Sequence, residues 1–133
     1  MIKLKQLLLE NTAPDIFIPR RMEDRIERMI KDYIINGSKG NLELSNMNLI
    51  ELPAILKDIT VSGHFICSNN KLTSLNNSPK TVGGYFSCSN NNLTSLVGAP
   101  TSVGGAFNCG NNSVQFTEAQ VRAVCDVKKR VYV

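Results

Sequence analysis

This 133-residue sequence contains one histidine, no CxxC pair and no long apolar run, and each shortage closes off a class of function. A membrane-spanning helix needs roughly 18 consecutive apolar residues. None occurs, so no membrane span is expected. The four cysteines, Cys67, Cys88, Cys109 and Cys125, lie 21, 21 and 16 residues apart. That spacing lacks the close ligand pairs of a structural zinc site and His64 adds little, so neither a metal nor a cofactor is expected. Reduced, buried thiols are the expected state of the cysteines. Charge of one sign is never concentrated. The net charge of +4 is spread from Lys3, Lys5, Arg20 and Arg21 to Lys128, Lys129 and Arg130, with acidic residues interleaved. Nucleic-acid binders gather cations on one face among stacking aromatics, so nucleic acid is not an expected partner. The opening MIKLKQLLLEN sets basic residues before leucines, but Glu10 and Asn11 interrupt it and no small-residue cleavage site follows. That pattern argues against a secretion signal.

What the sequence has in quantity is repetition. VSGHFICSNNKLTSLNNSPKT from Val61 returns as VGGYFSCSNNNLTSLVGAPTS from Val82 and, decaying halfway, as VGGAFNCGNNSVQFTEAQVRA from Val103. Valine, glycine, phenylalanine, cysteine and asparagine recur in step, as at Phe65, Phe86 and Phe107. An earlier unit is hidden in GNLELSNMNLIELPAILKDI, where Leu42, Leu44, Leu49 and Leu52 match Phe65, Cys67, Leu72 and Leu75 at an offset of 23. Together these make about three and a half coils of 21–23 residues, near the minimum of about three that a stacked core requires. The expected fold is a short α/β solenoid.

Alternation puts Phe65 and Cys67 on the inner side of a short strand, with Leu72 and Leu75 filling the same core from the returning arc. Successive strands then stack as one parallel sheet along one side. Where the chain turns out of the strand, inward-facing backbone groups need partners, and the side-chain amides of Asn70, Asn91 and Asn112 can serve their own and the adjacent coil. The glycine pairs before the strands suggest tight backbone. A phosphate loop would continue into a helix carrying Lys-Ser or Lys-Thr, and here a strand follows.

The flanks differ from the repeats. Residues 1–18 carry Leu4, Leu7 and Leu8 at helical spacing and read as an arm, which either packs on the cap helix or docks on a partner. Within 19–39, Met22, Ile26, Met29, Ile30, Tyr33 and Ile34 recur every three or four residues opposite a charged face, which predicts an amphipathic cap helix stopped at Gly37. The repeats are expected over 40–116. Residues 117–133 begin with a capping-box pattern at Thr117 and Gln120 and end in an alternating Arg130–Val133, predicting a helix and a brief strand.

Each coil follows x-Phe-x-Cys-x-x-Asn-x-Leu-x-x-Leu, which resembles the leucine-rich repeat pattern LxLxxNxLxxL with Phe and Cys in the first two leucine places. In that family the asparagine column forms a ladder, which implies a structural task for Asn70, Asn91 and Asn112 beside Cys67, Cys88 and Cys109. The short repeat and its SNNxLTSLxxxP phrasing resemble the leucine-rich repeat proteins of tailed bacteriophages and other large DNA viruses. IFIPRRMEDRIERM before the repeats and FTEAQVRAVCDV after them also look like the caps of that group. Sequon Asn92-Leu93-Thr94 goes unused without secretion.

The expected activity is protein binding without catalysis. Strand positions pointing away from the core offer Glu43, His64, Ile66, Tyr85, Ser87 and Asn108 as a partner-binding face, with tyrosine, histidine and isoleucine as its anchors. No catalytic residue is assigned, because His64 has no nucleophile or carboxylate fixed beside it and its odd spacing from Cys67 puts the two on opposite faces. The resemblance implies a phage accessory protein that binds a host protein in the bacterial cytoplasm. The competing expectation is a minor virion protein docked through Leu4, Leu7 and Leu8, and pairing of two copies through an open end or the arm is also open.

Overall fold

The computed structural model describes residues 20–133. Helix α1 (Arg20–Ile35) buries Ile26, Ile30 and Tyr33 along one stripe, as three-and-four spacing requires. Gly37 then takes the left-handed conformation at φ 87° and ends it. The Tyr33 hydroxyl lies 2.9 Å from the carbonyl oxygens of both Ser38 and Gly40, and accepts the Ser62 N–H at 3.3 Å. One phenol thereby ties the helix to the chain that enters the sheets.

Nine two-residue strands follow: β1 (Leu42–Glu43), β2 (Thr60–Val61), β3 (Phe65–Ile66), β4 (Thr81–Val82), β5 (Phe86–Ser87), β6 (Ser102–Val103), β7 (Phe107–Asn108), β8 (Asp126–Val127) and β9 (Val131–Tyr132). A 3-10 helix, Ala54–Asp58, lies between β1 and β2, and helix α2 (Glu118–Val124) between β7 and β8. The strands form two parallel sheets, ordered β1-β3-β5-β7-β9 and β2-β4-β6-β8. Leu42, Phe65, Phe86, Phe107 and Val131 are register partners in the first. Val61, Val82, Val103 and Val127 are partners in the second. The chain is an α/β repeat fold in which equivalent residues of successive repeats lie side by side.

The second sheet corrects the expectation of a parallel sheet on one side only. Three of its four strands come from Thr60-Val61, Thr81-Val82 and Ser102-Val103, β-branched or hydroxyl-bearing pairs that recur with the period and precede the glycines. The glycines let the chain pass from one sheet to the other under close stacking. A methyl group on Gly104 would run into the Gly83 carbonyl oxygen, and one on Gly83 into that of Ser62. Strand pairing also continues beyond residue 116, since the C-terminal segment supplies β8 as well as β9.

The core lies between the sheets and the returning arcs. Phe65, Phe86 and Phe107 are fully buried and stack along the repeat axis, with centroids 5.9 Å and 4.9 Å apart. Each such ring removes enough apolar surface from water to stabilise the fold by about 2–3 kcal/mol. Leu72, Leu75 and Leu93 meet them from the arc side. The capping box holds as the spacing predicts: Thr117 Oγ1 accepts the Gln120 N–H, and Gln120 Oε1 accepts the Thr117 N–H at 2.9 Å.

The asparagine column satisfies the backbone where each strand ends. Asn91 Nδ2 donates to the carbonyls of Cys67 and Cys88 at 3.0 Å, and its Oδ1 accepts the Leu72 N–H at 3.0 Å. Asn70 accepts from Met47 and Leu49 and donates to Leu44 and Cys67, and Asn112 links Leu93 with Cys88 and Cys109. The preceding asparagines, Asn69, Asn90 and Asn111, adopt φ 58°, 56° and 54°. Asparagine tolerates this left-handed corner better than other side-chain-bearing residues, so the Asn-Asn dipeptide holds two tasks.

Asn91→Ala strands the buried Leu72 N–H, at about 1–3 kcal/mol for an orphaned group, and takes one of two amide donors from the carbonyls of Cys67 and Cys88, which keep those of Asn70 and Asn112. The expected loss is about 1–3 kcal/mol, seen as a lower urea midpoint at unchanged slope. Asn112→Ala, in a half-buried repeat, costs less; the reverse order would refute the ladder's dependence on burial.

Candidate functional site

The outer face of the first sheet is organised in rows set by the register. One row runs Glu43, Ile66, Ser87, Asn108, Tyr132 across the five strands. Alternation turns these side chains outward because Leu42, Phe65, Phe86 and Phe107 point into the core. One residue before each of β3, β5 and β7 stand His64, Tyr85 and Ala106.

Tyr85 is the centre of the face. Its hydroxyl accepts a hydrogen bond from Asn108 Nδ2 at 3.0 Å, and Asn108 Oδ1 accepts the Gly110 N–H at 3.0 Å, so both side chains are held in place. The rings of Tyr85 and His64 meet edge to face with centroids 6.2 Å apart. His64 Nδ1 accepts the Tyr85 backbone N–H at 2.8 Å, and the His64 N–H in turn donates to Asn41 Oδ1 at 2.8 Å. Accepting at Nδ1 requires that nitrogen to be unprotonated, which leaves the ring's proton on Nε2. Gly63 and Gly84 make room for these acceptors, since a side chain at either would strike Asn41 Oδ1 or His64 Nδ1.

The expected face residues divide. Glu43 and His64 are exposed, and Ile66, Tyr85 and Asn108 are half-buried. Glu43 receives a hydrogen bond from Ser45. Ser87 is a correction: it is only 3% exposed and is no contact residue. Its short side chain sits in register between Ile66 and Asn108, and its hydroxyl lies 2.7 Å from Ser68 Oγ and 3.2 Å from Ser89 Oγ. Ser68 is buried with it. Leu4, Leu7 and Leu8 lie outside the described residues.

Sequence reasoning missed Tyr132. It is 47% exposed and stands beside Asn108 as that residue's register partner, extending the face by one aromatic ring. The alternation of Arg130–Val133 announces the strand, but only pairing with β7 places its tyrosine on this side.

Cys67, Cys88 and Cys109 lie on the other side of the sheet. Cys67 and Cys88 are fully buried, and their thiols donate to the carbonyls of Ser87 and Asn108 in the following repeat at 3.4 Å and 3.5 Å. Burial, reinforced by the Glu43 carboxylate, pushes the Cys67 thiol up from 9.0 to about 12. Burial also raises Cys88 well above its ordinary value, with the neighbouring Cys67 and Cys109 adding to the effect. Cys109 and Cys125 are pushed up to about 11, both chiefly by burial. Thiols held neutral in this way are poor nucleophiles. Among the described residues, no three His, Cys, Asp or Glu side chains gather as metal ligands, and no helix is long and apolar enough to cross a membrane.

Comparison with protein-family models, curated proteins and solved structures finds no match to this chain.

Native protein should resist iodoacetamide at Cys67 and Cys88 near pH 8, with all four cysteines labelled once urea unfolds it; fast native labelling would contradict the burial. Because the folded state binds the thiol proton more tightly than the unfolded state, these groups' contribution is intact below pH 9.0 and lost as pH climbs toward about 12. Urea midpoints should therefore fall through that window, and Cys67→Ala should flatten the fall.

Proposed function

We propose that this chain is a short α/β solenoid of leucine-rich repeat type that works as a non-enzymatic protein-binding module through the outer face of its first sheet. The carrying observation is the pre-bonded pair Tyr85 and Asn108, with His64 against one side and Tyr132 beside the other. Tyrosine supplies large contact area at low entropic cost, and side chains already fixed by hydrogen bonds lose little further freedom when a partner arrives. Register offsets that match the sequence period support the solenoid reading, as does the amide column that leucine-rich repeats share. A non-catalytic role is supported by thiols that face inward with raised pKa values, and by a His64 whose Nδ1 is engaged by a backbone amide. The resemblance of the repeat to those of tailed-phage proteins makes a bacterial host protein, met in the host cytoplasm, the first partner to test.

The test is a tagged pull-down from bacterial lysate and from purified phage particles, comparing the full chain with one lacking residues 1–18. One stoichiometric host protein, retained without the arm and weakened about tenfold or more by Tyr85→Ala, is the expected result. Tyr132→Ala should weaken it less, because that ring lacks the hydrogen bond that holds Tyr85. Recovery from particles alone, abolished with the arm, would replace this reading with a virion component.

A further inference from the structure

The two sheets end differently at the C-terminal side. In the second sheet, Val82 and Gly84 carbonyls accept the N–H groups of Gly104 and Gly105 at 2.8 Å and 2.9 Å, and Val103 and Gly105 accept those of Lys128 and Lys129 at 3.0 Å and 3.3 Å. The next carbonyls in this series, Val127 and Lys129, accept Arg122 Nη1 at 2.7 Å and Nη2 at 2.8 Å. Glu118 holds the same guanidinium at 2.8 Å. Arg122 stands where the amides of a further repeat would lie, and it closes that sheet.

Among the described residues, no such group closes β9 in the first sheet. Phe65, Phe86 and Phe107 each donate their N–H to the following strand, to Tyr85, Ala106 and Arg130. Val131 holds the next place in that register, so its N–H and C=O point out from the open edge. By the same alternation the Val133 N–H follows those of Cys67, Cys88 and Cys109. Tyr132 and Val133 are exposed beside this edge. Among the described residues, the side-chain charge left unpaired around it is positive: Glu118 and Asp126 are engaged by Arg122 and Lys128, while Lys129 and Arg130, exposed at the head of β9, form no ion pair.

We propose that β9 accepts an extended acidic segment of a partner protein as a sixth strand of the first sheet, its carboxylates lying against Lys129 and Arg130. An unpaired strand edge gives affinity through backbone hydrogen bonds, and the flanking cations select the sign of the incoming chain. A second copy pairing by β9 would bring the same two cations from each protein together, which disfavours that occupant. This backbone edge adjoins the proposed face at Tyr132 but lies two strands from its centre, since Tyr85 precedes β5.

The experiment uses the full chain and a fluorescein-labelled peptide of about seven residues alternating valine with glutamate, against a matched valine-lysine peptide, read by anisotropy. The glutamate peptide should bind at least about tenfold more tightly, and should weaken about tenfold between about 50 mM and 500 mM NaCl. Val131→Pro removes the outward N–H at an edge where proline is tolerated, and should abolish binding while circular dichroism stays unchanged. The double variant K129E/R130E should reverse the peptide preference, and keeps the test valid if the proline variant fails to fold. Tyr85→Ala should leave peptide binding unchanged. Equal binding of both peptides, no binding of either, or binding that survives in folded Val131→Pro would overturn the proposal. So would a dimer, seen by sedimentation without peptide, that Val131→Pro dissociates.

Discussion

A chain that leaves a two-residue strand by a sharp corner turns backbone carbonyls and amides toward its own interior, and each must find a partner there. In this protein the side-chain amides of Asn70, Asn91 and Asn112 meet that need, each reaching its own repeat and the one before it. Orphaned groups at these corners would cost more than so small a fold can absorb. The period, the register and the stacked phenylalanines all depend on this column, because an amide one position out of step loses its donors and acceptors together. Short strands are tolerable for the same reason: two residues of pairing are weak alone, but the corners that bracket them are held by side chains.

A rigid register makes the outer surface a consequence of rows rather than of single residues. Side chains of unlike length stand next to one another across the strands. A short one between longer neighbours disappears from the surface, as Ser87 does between Ile66 and Asn108. Longer ones meet across strands, as Tyr85 and Asn108 do. The proposed binding face is therefore narrower in polar contacts and richer in aromatic ones than the alternation of any one strand suggests.

The ends of the array show how stacking is stopped. At one end the Tyr33 hydroxyl and the apolar stripe of α1 cover the first repeat. At the other, a guanidinium with several donors in a fixed plane imitates two backbone amides at once, which no aliphatic cap can do. Only one of the two sheets receives that treatment. The asymmetry is what makes an added strand at β9 a sensible proposal.

Much of this was readable in the residues. The period, the inward phenylalanines and cysteines, the stripe of α1 and the capping box at Thr117 and Gln120 are all local or periodic properties of the chain, and physical chemistry ties each to one arrangement. The asparagine column was legible because its amide has few other uses at a buried corner. The second sheet was harder to see, since a Thr-Val or Ser-Val pair carries no alternation of its own and becomes a strand only when the equivalent pair lies beside it. Burial of Ser68 and Ser87, the place of Tyr132 and the capping by Arg122 depended on neighbours some 20 residues away or on a side chain reaching across the end of the array. Periodicity determines which side chains face inward. What an outward side chain touches is decided by the repeats on either side of it, and those are assembled only by the tertiary structure.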